Sequence, residues 1–127
     1  MTQASLIATL TEPPSRTGAE LSALPDSVEW LEVRSDLVGD LDPEWLRGHF
    51  SGRLLYALRS QDEGGKCTDS LERRHQRLET AARFYDRVEL EGGGDLTPKL
   101  LSRIPFEQRL ISWYGQANDL AELRARF

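Results

Sequence analysis

Two short segments of this chain set arginine and carboxylate side chains at spacings suited to gripping a small acid. The first is Leu31-Glu32-Val33-Arg34-Ser35-Asp36; the second is Leu58-Arg59-Ser60 followed by Glu63-Gly64-Gly65. A guanidinium presents a planar fork of N–H donors that bonds a carboxylate in two places, which the point charge of a lysine does not match. Each arginine closes an apolar, strand-like run, at 27–34 and 54–59, so charge stands where core residues would otherwise continue. Two further runs also end in polar groups, Val88-Glu89-Leu90-Glu91 and Leu110-Ile111-Ser112-Trp113. The competing reading of Glu32, Arg34, Asp36, Arg59 and Glu63 is an ion-pair network across neighbouring strands with no ligand, a common fate of surface charge.

The elements that must position these groups alternate regularly. Residues 5–11 read as a buried strand, followed by the turn Glu12-Pro13-Pro14-Ser15, and a short helix is expected over 17–24, stopped by Pro25-Asp26. The second strand is 27–34. Asp42 is suited to N-cap a helix that has Pro43 at its first position, and Ser51-Gly52 ends it before a third strand at 54–58. Over 70–85, Leu71, Leu78, Ala81, Ala82 and Tyr85 recur at helical spacing with Arg and Glu between them. A fourth strand at 88–91, the loop Gly92-Gly93-Gly94, a helix over 98–104 entered through Thr97, a fifth strand at 109–113 and a helix at 117–126 capped by Asn118 or Asp119 complete the chain. Five strands alternating with five helices predict βαβ units and a parallel α/β sheet. A dinucleotide-binding fold would carry a Gly-x-Gly-x-x-Gly turn after its first strand. Here that turn holds two prolines and no glycine before Gly18. A (β/α)8 barrel instead draws its functional groups from the carboxyl ends of several strands. That is the distribution of Glu32 and Arg34, Arg59 with Glu63, Glu89 and Glu91, and Ser112, so a partial TIM barrel of about five βα units is expected.

Composition narrows the partners. With 16 basic against 21 acidic residues and a net charge of -5, the chain lacks the clustered positive face of a nucleic-acid binder. No run approaches the roughly 18 apolar residues of a membrane span, and residues 1–10 lack the features of a secretory signal, so no membrane partner and a cytoplasmic location are expected. Cys67 is the single cysteine, which rules out an intramolecular disulfide, and it reads as an incidental thiol. His49 and His75 fall on helices away from the strand ends and are expected to face solvent.

In order and spacing, the four strand-end motifs together resemble type I 3-dehydroquinate dehydratase, in the form also found fused to a shikimate dehydrogenase. The resemblance implies a (β/α)8 barrel that dehydrates 3-dehydroquinate in the shikimate pathway through a Schiff base, with no metal and no organic cofactor. Residues 1–127 would form a single N-terminal portion of that barrel. Carried onto this sequence, the resemblance makes Thr9, Glu32, Arg34 and Arg59 substrate-binding groups, with Asp36, Glu63, Glu91 and Ser112 supporting them. Glu63 would hold the Arg59 region in place. Tyr114 stands where the family has its catalytic histidine, and a phenol with an ordinary pKa near 10 does not abstract protons as imidazole does. The family's Schiff-base lysine belongs to a sixth strand, while the lysines here are Lys66 and Lys99. The chain alone is therefore expected to be inactive. The alternative is a noncatalytic hydroxy-acid-binding or assembly module derived from that enzyme. Either a C-terminal half-barrel or a second copy of the chain would cover the open arc.

Overall fold

The computed structural model describes residues 4–113 and 120–126. Its element order is β1 (Leu6–Leu10), α1 (Ala19–Ser22), β2 (Val28–Arg34), α2 (Ser35–Val38), α3 (Pro43–His49), β3 (Arg53–Ala57), α4 (Leu71–Ala81), β4 (Arg87–Glu91), α5 (Pro98–Leu101), β5 (Arg109–Ser112) and α6 (Leu120–Arg126). The five strands form one sheet in sequence order, and every neighbouring pair is parallel. Each crossover therefore returns the chain to the same end of the sheet, which gathers the strand-end motifs on one side.

The expected elements recur with shifted bounds, for local reasons. Asp42 caps α3 by accepting from Glu44 N at 2.9 Å, and Pro43 occupies the first turn where a missing N–H costs nothing. Ser70 Oγ accepts from Arg73 N at 3.1 Å to start α4, and Thr97 Oγ1 accepts from Leu100 N at 3.2 Å to start α5. The first helix is shorter than expected because Gly18 adopts a left-handed φ of 63°, so helical backbone starts only at Ala19. α4 stops at Ala81 rather than running on to residue 85. The one-turn helix α2, directly after Arg34, is not marked by any apolar period in the sequence. Asn118 and Asp119, the expected caps of the last helix, lie outside the described residues.

Alternation along the strands sorts the two faces of the sheet. Leu31 and Val33 of β2, Leu54 and Tyr56 of β3, and Val88 and Leu90 of β4 join Leu46 of α3, Leu78 of α4 and Leu100 of α5 in one core between sheet and helices. The intervening residues turn to the opposite, concave face. In register order these are Thr9 beside Glu32, Glu32 beside Leu55, and Arg34 beside Ala57. On the other half of the sheet, Glu89 lies beside Leu110 and Glu91 beside Ser112. Among the described residues, no helix is long and apolar enough to cross a membrane.

Candidate functional site

The concave face carries its polar groups toward the carboxyl ends of the strands. Glu32 is half-buried in the middle of β2, and its carboxyl pKa is raised above the ordinary value of 4.5. Burial is the largest cause and the neighbouring Glu89 charge adds to it, while Arg59 and Arg34 pull the other way. Glu32 and Arg34 alternate on one face of β2, and Arg59 reaches across to Glu89 of β4 on that same face. Glu32, Arg34 and Arg59 converge.

Arg34 and Asp36 form a fork-on-carboxylate pair, with Nε and Nη2 each 2.8 Å from a carboxylate oxygen. The chain makes this pair locally: Arg34 ends β2, and the turn into α2 brings Asp36 back beside it. Asp36 Oδ2 also accepts from Lys66 N at 3.0 Å, and the backbone of Arg59 bonds the same carboxylate. Burial pushes the Asp36 pKa up, but these bonds more than offset it and hold the carboxyl below its ordinary value. One edge of the Arg34 guanidinium is therefore committed to Asp36, which leaves the remaining N–H groups for any guest.

Arg59 sits just beyond β3, where the segment that follows folds back on it. Gly64 takes a φ of 85°, Gly65 N donates to Ser60 O at 2.8 Å, and Cys67 N donates to Arg59 O at 3.1 Å. A Cβ on Gly65 would stand 2.2 Å from Arg59 O, so only glycine lets the loop close here. The Arg59 side chain faces Glu89, with Nη2 3.6 Å from Oε1, and Ser112 Oγ donates to the same oxygen at 3.1 Å. Glu89 is 3% exposed. It is the acidic hub that links β4, β5 and the Arg59 strand end, a part the strand-end pattern placed at the rim but did not count among the binding or supporting residues.

Beside this rim lies a second, more deeply buried cluster. Arg74 of α4 places Nε and Nη2 at 2.9 and 2.7 Å from the two oxygens of Asp95, and Nη1 donates to Leu58 O. Asp95 Oδ2 accepts from Glu91 N at 2.7 Å, and Glu91 Oε2 accepts from Ser60 N at 2.8 Å. Burial pushes the Asp95 pKa up, yet its bonds to Arg74, the Glu91 backbone and His75 leave it lowered and ionised. An ionised carboxylate only accepts, so His75 Nε2 donates to Oδ1 across their 3.0 Å contact. His75 thus has a buried partner, contrary to the expected solvent-facing role. His49 is also half-buried, with its ring 4.6 Å from that of Trp45 and tight against Gly18. One signal in the sequence marked the cluster: Arg74 falls on the apolar stripe of α4 between Leu71 and Leu78.

Thr9 is exposed on the concave face next to Glu32. Glu63 is half-buried in the loop after β3 and leans toward the glycine loop, its Oε1 3.7 Å from where a Cβ on Gly93 would stand. Lys66 and Lys99 are exposed. Tyr114 lies outside the described residues. Among the described residues, no group of three His, Cys, Asp or Glu side chains is arranged to hold a metal ion.

Five parallel strands in one sheet, a helical outer layer and a polar rim at the strand carboxyl ends define the class: an α/β chain forming part of a TIM barrel. Among solved structures, it is similar to the type I 3-dehydroquinate dehydratase of Clostridium difficile, determined with covalently modified comenic acid. The TM-score is 0.66 at 14% identity, over 86% of this chain and 49% of that one. It is also similar to the 3-dehydroquinate dehydratase of Aquifex aeolicus VF5, with a TM-score of 0.48 at 19% identity over 76% and 43% of the two chains. The second superposition is too loose for a fold assignment to follow from it. The chain thus spans about half the length of the solved structures it resembles. No family model matches the sequence, and no curated protein matches it. At 14% identity the likeness establishes the fold and leaves the chemistry to the residues.

Proposed function

We propose that the rim formed by Glu32, Arg34 and Arg59 binds the anionic cyclic hydroxy acid 3-dehydroquinate, and that the chain represents the N-terminal, substrate-gripping half of a type I 3-dehydroquinate dehydratase-like barrel. The convergence of these three side chains on one concave face carries the reading. Arg59 takes the ligand carboxylate with its guanidinium, held in place by Glu89, whose Oε1 lies 3.6 Å from Nη2. Glu32, with its raised pKa, and Thr9 bond ring hydroxyls. Arg34, braced by Asp36, offers its free edge as a second cationic contact. Ser112 and Glu91 support Glu89 and the start of the Arg59 loop.

In this proposal the chain binds without turning over. Imine chemistry needs an amine whose pKa is depressed in a dry pocket. Lys66 and Lys99 are both exposed, and the sequence has Tyr114 rather than histidine after Ser112-Trp113. These observations favour a noncatalytic hydroxy-acid-binding role for the isolated chain. Isothermal titration with 3-dehydroquinate tests the reading: saturable binding weakened at least tenfold by Arg59→Ala is expected, and borohydride treatment should trap no adduct. Absence of binding by the folded wild-type chain would refute the proposal.

A further inference from the structure

The strand ladder stops before it reaches Arg59. β3 and β4 pair only as far as Tyr56 beside Val88, and β3 itself ends at Ala57. Charged side chains from two other elements take over where the ladder stops. Arg74 of α4 donates from Nη1 to Leu58 O, the carbonyl of the peptide unit before Arg59. Glu91 of β4 accepts from Ser60 N at 2.8 Å, the amide of the peptide unit after it. Both grips belong to one assembly. Asp95 accepts from Arg74 Nε at 2.9 Å and Nη2 at 2.7 Å, and it also accepts from Glu91 N at 2.7 Å. Arg74 Nη2 lies 3.6 Å from Glu91 Oε1, and all three residues are buried.

A buried ion pair is a poor means of stabilisation, because desolvating both charges offsets their attraction, but its geometry is demanding. A planar fork with one edge seated on Asp95 has a fixed orientation, which carries Nη1 onto Leu58 O. With the peptide units on both sides of Arg59 held, its side chain leaves the backbone toward Glu89. From this geometry we infer that Arg74 is a positioning residue for Arg59: seated on Asp95 and joined by Glu91 in a clamp across the Arg59 backbone, it sets where that guanidinium meets a ligand carboxylate. The ligand rests on the rim reading above; the clamp itself rests on the bonds around Leu58 and Ser60.

Arg74→Lys keeps the positive charge beside Asp95 and removes the arm that reaches Leu58 O. In calorimetry below its thermal midpoint, the variant should bind 3-dehydroquinate about fivefold more weakly than wild type. The same change in an Arg59→Lys background should cost less than about twofold, because the fork it aimed is gone. Glu91→Ala releases Ser60 N from the other side and should give the same two results, which keeps the test open if Arg74→Lys does not fold. A second readout needs no ligand: the NMR signal of the Arg59 Nε–H, whose nitrogen is buried, assigned by its loss in Arg59→Lys. In either clamp variant its exchange with solvent should rise by about tenfold more than that of the Val88 and Leu90 amides, which report the fold as a whole. The inference is overturned if the clamp variants bind as wild type does, if they lose as much in both backgrounds, or if the Nε–H exchange rises only in step with those amides. If wild type binds no 3-dehydroquinate, the rim reading falls, and the exchange comparison alone decides whether Arg74 positions Arg59.

Discussion

The two ends of the concave face use arginine in opposite ways. At the carboxyl end, Arg34 and Arg59 sit beside carboxylates, Asp36 and Glu89, with side chains 12% and 16% exposed. At the amino end, Arg53 and Arg87 lie over the Trp30 ring instead, 5.5 and 5.1 Å from its centroid. Neither has a carboxylate within ion-pair distance among the described residues, and both are exposed. An indole face attracts a guanidinium through its quadrupole, and the arginine stems cover apolar ring surface. The same residue type thus seals one end of the sheet and arms the other. The difference lies in what stands beside it: a carboxylate that shares its charge leaves a polar, adjustable rim, whereas an aromatic ring leaves a lid.

The largest expected effect tests whether the carboxyl end depends on the buried cluster behind it. Asp95→Ala strips Arg74 of its main partner and leaves a buried charge, a change that costs about 3–5 kcal/mol. Urea unfolding should show a loss of that size, and 3-dehydroquinate binding should fall with it. Trp30→Ala strikes the other end. Removing a buried tryptophan costs about 3 kcal/mol, but calorimetry at a temperature where the variant is folded should show rim affinity changed less than threefold.

Arg59→Ala should cost at least tenfold in ligand affinity, and because it removes the cation beside the buried Glu89 it should also lower the unfolding free energy by about 3 kcal/mol, so binding is measured at a temperature where the variant is folded. Glu32→Gln probes the electrostatics. A raised carboxyl pKa means that the fold disfavours the ionised form, so wild-type stability falls as pH rises from below 4.5 through the raised value. The variant should therefore be more stable than wild type at pH 7, with the difference fading in acid. Asp36 and Asp95 are lowered, so their stabilisation is present above their ordinary 3.8 and lost as pH falls through their lowered values. Both proteins should accordingly unfold in strong acid, as read from circular dichroism against pH. The smallest effect is expected for Arg53→Gln and Arg87→Gln, each under about 1 kcal/mol and without consequence for binding.

The strands were legible because each is a short apolar run bounded by turn residues, and the rim because those runs stop on charge. Asp42 and Thr97 announced two helix starts through side chains that accept from the first turn, while the apolar period announced α4, whose cap Ser70 the structure supplies. What stayed hidden depended on contacts distant in sequence. Asp95 looks like an ordinary loop residue after three glycines until α4 brings Arg74 and His75 against it from 21 and 20 positions earlier. Glu89 reads as one of two alternating acids in β4, and only the parallel register places Ser112 and Arg59 around it. The helix α2 is a single turn, too short for a periodicity to show.

The carboxylate of Asp36 is shared between two strand ends. It clasps the guanidinium at the end of β2 and, through the Lys66 and Arg59 backbones, also fastens the loop after β3. The gap between the two arginine-bearing strand ends is thereby set before any guest arrives. A jaw of fixed width spends no ordering entropy on closure, and it selects by length: acids too short to reach from one cation to the other lose a contact outright.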